Sequence, residues 1–227
     1  MRIRRANGTR AIIFDFDYTL ADSSKGIVKC CNSALRDMDL PEASAENICR
    51  TIGFSLPEVF VKLAGQEHVH RSLQFVEHFK RNADEVMSEL TFVYPIVSPV
   101  VLSLREKGQK LGIVSTKFRY RIEDILRRHN LQDLFDIIIG GEDVVTHKPD
   151  PEGLNQALTI LDCSPAEALY VGDSVVDAET ANRAHVSFVA VLSGPTRRSA
   201  FRDYIVSEFI DDLQQLTQIS TLQHRAR

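Results

Sequence analysis

Four short stretches place charged or hydroxyl side chains directly after an apolar run, and each combination suits a specific piece of chemistry. In Phe14-Asp15-Phe16-Asp17-Tyr18-Thr19-Leu20, two carboxylates stand two residues apart where an apolar run over residues 10–16 ends. On an ideal strand that spacing turns both to one face. Burying paired charge there is costly unless a cation or a reaction compensates it. A D-x-D pair can also simply end a strand or chelate calcium in a loop. In Leu111-Gly112-Ile113-Val114-Ser115-Thr116-Lys117, an apolar run delivers Ser115, with Thr116 beside it, to a position where hydroxyl and backbone N–H groups can meet an anion. A helix N-cap would use the same residues.

In Thr146-His147-Lys148-Pro149-Asp150-Pro151, Pro149 biases Lys148 towards an extended backbone, and Asp150-Pro151 reads as an N-cap and first helical position. Lys148 is thereby held in a stiff loop, suited to grip phosphate as a point charge, although a solvated loop lysine has the same surroundings. His147 reads as structural or incidental. In Ala168-Leu169-Tyr170-Val171-Gly172-Asp173-Ser174-Val175-Val176-Asp177, a strand-like run ends in Gly-Asp, with a second carboxylate four residues on. Asp173 and Asp177 fall on one side of an opening helical turn, and hard oxygen ligands at such spacing suit Mg²⁺. Capping the helix is the plainer use of the same pair.

The elements that must carry these residues alternate. Short apolar runs at residues 10–16, 111–115, 135–140, 168–171, 188–192 and, more briefly, 206–210 read as strands. Amphipathic stretches at residues 100–107, 122–129, 154–161 and 175–184 read as the helices between them. The pattern predicts an α/β fold, a Rossmann-like parallel sheet with its site at the strands' carboxyl ends. Residues 23–90 break the alternation. Ile27, Cys30/Cys31, Ala34/Leu35 and Met38, then Leu56, Val59, Phe60 and Leu63, then Leu73, Val76, Phe79 and Ala83 repeat every three to four residues. Pro41, Gly53, Pro57 and Gly65 punctuate this stretch into several helices, with no convincing strand. The expected division is a catalytic core over residues 1–22 and 91–227 and an inserted α-helical cap domain over residues 23–90.

All four stretches thus converge on one edge of one sheet. Together they supply a nucleophile, an acid/base, a metal site and cationic phosphate holders, the parts of a phosphoryl-transfer site. Composition agrees. Apolar residues make up 44% and charged residues 26%, ordinary for a globular chain of 227 residues. The net charge of −4 argues against a nucleic-acid surface. No apolar run approaches the roughly 18 residues needed to span a bilayer. The basic N-terminus is followed at once by a short strand-like run that ends in acidic residues and lacks a small-residue cleavage site, so a cytoplasmic location is expected. Cys30, Cys31, Cys49 and Cys163 lack the paired spacing of a zinc site or a disulfide framework.

In these motifs and their order the chain resembles the haloacid dehalogenase superfamily, in its phosphoglycolate-phosphatase and β-phosphoglucomutase-like branch. The family's D-x-D-x-T corresponds to Asp15-Phe16-Asp17-Tyr18-Thr19, its hydroxyl motif to Ser115, its lysine motif to Lys148, and its acidic motif to Asp173 with Asp177. Tyr94-Pro95 and Ser193-Gly194 are looser echoes. The resemblance implies that Asp15 attacks phosphorus to form an aspartyl-phosphate, and that Asp17 protonates the leaving oxygen and then deprotonates water. It implies Mg²⁺ held by Asp15, Asp173 and the backbone carbonyl of Asp17, with Asp177 completing or orienting that shell. Ser115 and Lys148 neutralise phosphoryl oxygens, and Thr19 supports Asp17 or its loop. The second aspartate points to phosphorus rather than carbon as the target. Tyr18 stands where the family usually has glycine, and Ile96 departs from its tyrosine-proline-glycine turn.

The helical insertion resembles that branch's cap, with Arg50-Thr51-Ile52-Gly53-Phe54-Ser55 as the loop that dips towards the site. There Arg50 is a candidate for an anionic substrate group and Gly53 for a tight turn, with Lys62, Arg71, Lys80 and Arg81 as alternatives to Arg50. The expected activity is Mg²⁺-dependent hydrolysis of a small phosphorylated metabolite, phosphoglycolate-like or a sugar phosphate. A phosphomutase is the alternative, followed by a non-catalytic phosphate-binding or docking protein. A monomer or weak homodimer is the default assembly.

Overall fold

The structure, a computed structural model, describes residues 8–219. Residues 1–7, with most of the basic N-terminal segment, and 220–227, the end of the expected core, lie outside the described residues. The strands β1 (Ala11–Phe14), β4 (Lys110–Val114), β5 (Ile137–Ile139), β6 (Ala168–Gly172), β7 (Ser187–Val191) and β8 (Glu208–Ile210) form one parallel sheet in the order β5-β4-β1-β6-β7-β8. The two short strands β2 (Ala21–Asp22) and β3 (Phe92–Val93) pair antiparallel in a separate ribbon.

The sheet strands are apolar throughout because both faces are covered. Ile12 and Phe14 of β1 face one core layer, with Leu111, Ile113, Leu169, Val171, Val189 and Val191. Ala11 and Ile13 face the other, with Tyr170, Phe188 and Ala190. Helices α5 (Val97–Glu106) and α6 (Arg119–Arg128) cover the first layer, and α7 (Glu152–Ile160) and α8 (Val175–Arg183) the second. This period-two division is what a sheet buried on both sides requires.

Between the ribbon strands run α1 (Ser24–Asp37), α2 (Ala45–Cys49), α3 (Leu56–Ala64) and α4 (Ser72–Leu90). They share a core of their own, in which Cys30, Cys31, Leu35, Phe60, Phe75, Phe79 and Met87 are buried. All four cysteines are free. Pro57 starts α3 rather than separating two helices, and Gly65, at φ 101°, ends it.

Several expectations shift in detail. Leu73 is 76% exposed, because the buried stripe of α4 runs through Phe75, Phe79, Ala83 and Met87. Strand β5 starts at Ile137 rather than 135, since Phe135 closes a 3₁₀ turn and Asp136 spends both its N–H and a carboxylate oxygen on Leu111. Helix α5 begins three residues before residue 100, with Pro99 tolerated in its first turn. Helix α7 starts at Glu152; Pro151 is its cap, and Asp150 Oδ1 accepts from the Glu152 N–H at 2.9 Å.

Candidate active site

The carboxyl ends of β4, β1 and β6 lie side by side at the centre of the sheet, so Ser115, Asp15 and Asp173 emerge together. Lys148 enters from the loop before α7 across a cis Lys148–Pro149 peptide, and Asp177 from the first turn of α8. Asp15, Asp173 and Asp177 are buried, and each offers a carboxylate oxygen within 4.8 Å of the others. Lys148 Nζ sits among them, 2.9 Å from Asp15 Oδ1, 2.6 Å from Asp177 Oδ1 and 3.2 Å from the Tyr170 hydroxyl. The single proton of the Tyr170 hydroxyl is shared between two acceptors, the Val114 carbonyl at 3.0 Å and Asp177 Oδ1 at 3.1 Å.

One lysine cannot neutralise three carboxylates. Burial pushes the Asp15 carboxyl up to about 6, Lys148 pulls it down, and Asp177 and Asp17 add to the rise. Burial likewise drives Asp173 well above the usual carboxylate range, reinforced by Asp177 and Asp15. Burial alone would lower Lys148, but the charges of Asp15 and Asp177 carry it well above the ordinary lysine value. The cluster therefore lacks positive charge. Asp15 Oδ1, sealed from solvent, lies against Lys148 Nζ without the alignment of a hydrogen bond. An all-oxygen anionic donor set with a buried oxygen that accepts no hydrogen bond fits a hard divalent cation such as Mg²⁺.

Asp177 also does the plainer job. Its Oδ2 accepts from the Ser174 N–H at 3.1 Å and the Ser174 hydroxyl at 2.5 Å, while Ser174 Oγ accepts from the Asp177 N–H. This is a capping box, so both oxygens of Asp177 are already engaged. That arrangement favours orienting Lys148 over direct metal ligation.

The other expected residues divide. Ser115 is buried at the end of β4, its Oγ accepting from the Lys117 N–H. Thr116 donates its hydroxyl to the Gly53 carbonyl at 3.4 Å, so it meets the helical insertion rather than an open anion site. Gly53, at φ 103°, brings that loop against Ser174. Thr19 is fully buried and its hydroxyl has no hydrogen-bond partner, so it does not hold the Asp17 side chain; its backbone N–H donates to the Phe16 carbonyl within the same loop. Arg50 is turned to solvent and paired with Glu46. Lys62 sits over the Phe54 ring, Arg71 donates to the Met38 carbonyl, Lys80 lies over Phe118, and Arg81 pairs with Asp37.

Lys117, whose position at the end of the Ser115 stretch signals no role by itself, is buried beside the site, with Nζ 3.0 and 3.2 Å from the two oxygens of Asp17. Ser193 donates its hydroxyl to the Tyr18 carbonyl, and a Cβ on Gly194 would stand 2.0 Å from Asp173 Oδ2. Tyr18 itself adopts φ 59°, the left-handed region where glycine is at ease. A cavity of about 60 Å³ separates the insertion from the sheet, with Asp17, Lys117 and Arg121 on the core side and Ile27, Phe79 and Met87 opposite.

The family model described as haloacid dehalogenase-like hydrolase matches residues 12–191, which contain every acidic and cationic group of the cluster. The chain belongs to that family. This hydrolase is 32% identical over 199 residues to a phosphoglycolate phosphatase of Aquifex aeolicus, covering 87% of this chain and 92% of the relative. It is 30% identical over 213 residues to the pyrophosphatase PpaX of Bacillus mycoides, covering 92% and 97%. A crystal structure of a Bacteroides fragilis protein described as haloacid dehalogenase-like superimposes with a TM-score of 0.89 at 45% identity, over 92% of this hydrolase and 99% of that chain. Among its described residues, no helix is long and apolar enough to cross a membrane.

Proposed function

We propose that this hydrolase is a Mg²⁺-dependent phosphatase that cleaves a small phosphate monoester or pyrophosphate through an aspartyl-phosphate on Asp15. The observation that carries the reading is the three-carboxylate cluster around one lysine, which leaves the buried site short of positive charge. Asp15 and Asp173, with the Asp17 backbone carbonyl, are the groups that would hold Mg²⁺. When bound there, Mg²⁺ would supply positive charge to the phosphoryl oxygens and keep Asp15 ionised. Lys148 and Ser115 add a cation and a donor at the same place, where a water-poor site makes them effective. Asp17 gives a proton to the leaving oxygen and takes one from the water that hydrolyses the intermediate.

The helical insertion is the cap in this reading. With so small a cavity beneath it, the leaving group enters when the insertion lifts, and closure then excludes bulk water from the phosphorylated aspartate. The relatives' names support a phosphorylated small molecule with an anionic remainder, phosphoglycolate or pyrophosphate, as the first substrates to try. The test is phosphate release from phosphoglycolate, pyrophosphate and a panel of sugar phosphates, with and without Mg²⁺. Release that needs both Mg²⁺ and Asp15 is expected. Metal-independent release, or full activity in Asp15→Asn, would overturn the reading.

A further inference from the structure

The insertion joins the core through two crossings, and the residues at those crossings meet the proposed acid/base through a single side chain. Ser23 directly follows β2 and Thr91 directly precedes β3, one step beyond the Asp22–Phe92 pair of the ribbon. Both are buried. Lys117 Nζ donates to Ser23 Oγ at 3.1 Å and to the two Asp17 oxygens at 3.0 and 3.2 Å. Thr91 Oγ1 lies 3.0 Å from Ser23 Oγ and 2.7 Å from the Met87 carbonyl in α4. A carbonyl only accepts, so the one Thr91 proton goes to Met87 and the Ser23 hydroxyl points to Thr91. The three ammonium protons of Lys117 are thereby matched by three oxygens.

We propose that Lys117 is a positioning residue, which aims the Asp17 carboxylate at the leaving oxygen and ties that aim to the seating of the cap. The inference rests on the reading of Asp17 as acid/base. Its physical basis is that Asp17 Oδ1 and Oδ2 have Lys117 as their side-chain partner, and a buried ammonium with fixed acceptors holds a carboxylate at a defined angle. When the insertion lifts, the β2–β3 ribbon moves Ser23 and Thr91 away from Lys117. The lysine loses one of its three acceptors, and the Asp17 carboxylate is no longer pinned. The acid/base is thus aligned in the closed form and loosened in the open one.

The test exploits leaving groups that differ in their need for a proton. Nitrophenolate departs from p-nitrophenyl phosphate with little help, whereas phenolate leaving phenyl phosphate benefits more from an acid. The value of kcat/KM for both esters is measured at saturating Mg²⁺ in wild type, Lys117→Met, Lys117→Arg and Ser23→Ala. In Lys117→Met the loss is expected to be about tenfold or more larger on phenyl phosphate than on p-nitrophenyl phosphate. Lys117→Arg should recover part of it, and Ser23→Ala should show the same selective loss in weaker form. Equal losses on both esters, or no loss, would overturn the positioning role. If Lys117→Met fails to fold, Ser23→Ala decides, since it removes the hinge contact without unpairing a buried charge. Asp17→Asn, measured alongside, separates the two readings: a selective loss on phenyl phosphate there but not in Lys117→Met overturns only the positioning role, whereas equal losses in Asp17→Asn overturn the acid/base reading itself.

Discussion

Arg121 of helix α6 holds Asp84 of helix α4 through Nη2 at 2.6 Å and Nε at 3.0 Å, joining the sheet domain to the helical insertion. Arg121 is buried while Asp84 is half exposed, and the arginine's second link runs to the Lys80 carbonyl one turn earlier. The Tyr120 hydroxyl also reaches Asp84, at 2.5 Å. The contact lies on the rim of the cavity beside Asp17.

Asp84→Ala is therefore expected to loosen the insertion. It leaves Arg121 without its carboxylate, and the loss is on the order of 2 kcal/mol after allowing for the exposure of Asp84. Hydrogen exchange should accelerate in α4, and KM should rise more than kcat falls. Unchanged exchange in α4 would show that the pair does not hold the two bodies together.

The same pair carries a pH dependence. Burial opposes ionisation of Asp84, but hydrogen bonds from Tyr120 and Arg121 and the Arg121 charge hold its carboxyl below the ordinary aspartate value of 3.8. A depressed folded pKa contributes stability above the unfolded value, and that stability is lost as pH falls through the folded one. Exchange protection in α4 should accordingly decline below about pH 4 in wild type and stay flat in Asp84→Ala.

Asp15 behaves in the opposite sense. Burial raises its carboxyl from 3.8 to about 6, so the folded state holds its proton more tightly than the unfolded chain. Stability from this group is present below 3.8 and is lost as pH rises towards 6. Thermal melts in a chelator should fall across that window, and Mg²⁺ should restore the melting temperature at neutral pH. A chelated protein equally stable at both ends would argue against Asp15 as a buried charge.

Asp15→Asn removes that charge. Turnover should drop by at least about a thousandfold. The melting temperature of the metal-free protein at neutral pH should hold or rise, and a matched circular dichroism spectrum would separate chemistry from folding.

Gly194→Ala tests the metal shell at one remove. The added Cβ would meet Asp173 Oδ2 at 2.0 Å and push that carboxylate aside. Half-maximal activation should then need about tenfold more Mg²⁺, with phosphate release at saturating metal largely retained. Unaltered metal dependence would mean that Asp173 is not a ligand.

Much of this site is legible from sequence because a parallel sheet turns chain order into proximity. Asp15, Ser115 and Asp173 each end an apolar run, and adjacent strands then bring those ends together without any contact being known. Lys148 was legible for the related reason that a proline-stiffened loop follows a strand. Residues whose roles come from pairing across distant elements were not legible. Lys117 lies 100 positions from Asp17, and Arg121 lies 37 from Asp84. Lys117 stands three residues past the end of β4, and Arg121, although it shares a helical face with Ile125, reads as solvated because it is charged. Arg50 failed in the other direction: a cation in a loop near the site carries no sign of which way it turns, and a neighbouring glutamate four residues earlier captures it. Tyr18 and Ser193 depend on backbone geometry that spacing does not reveal.

The paired crossings of the β2–β3 ribbon have a consequence for descent and for engineering. Ala21 stands opposite Val93 and Asp22 opposite Phe92, so the insertion leaves and re-enters the sheet domain at a single splice. A module whose two ends meet can be exchanged without disturbing the order of the strands beneath it. Chimeras cut between Ser23 and Ser24 and between Leu90 and Thr91 should preserve Asp15, Asp17, Ser115, Lys148 and Asp173 in register, with Ser23 and Thr91 still beside Lys117, while replacing the helices that cover the site. On such a chassis, new substrates can be recruited by cassette, with the phosphorus chemistry inherited unchanged.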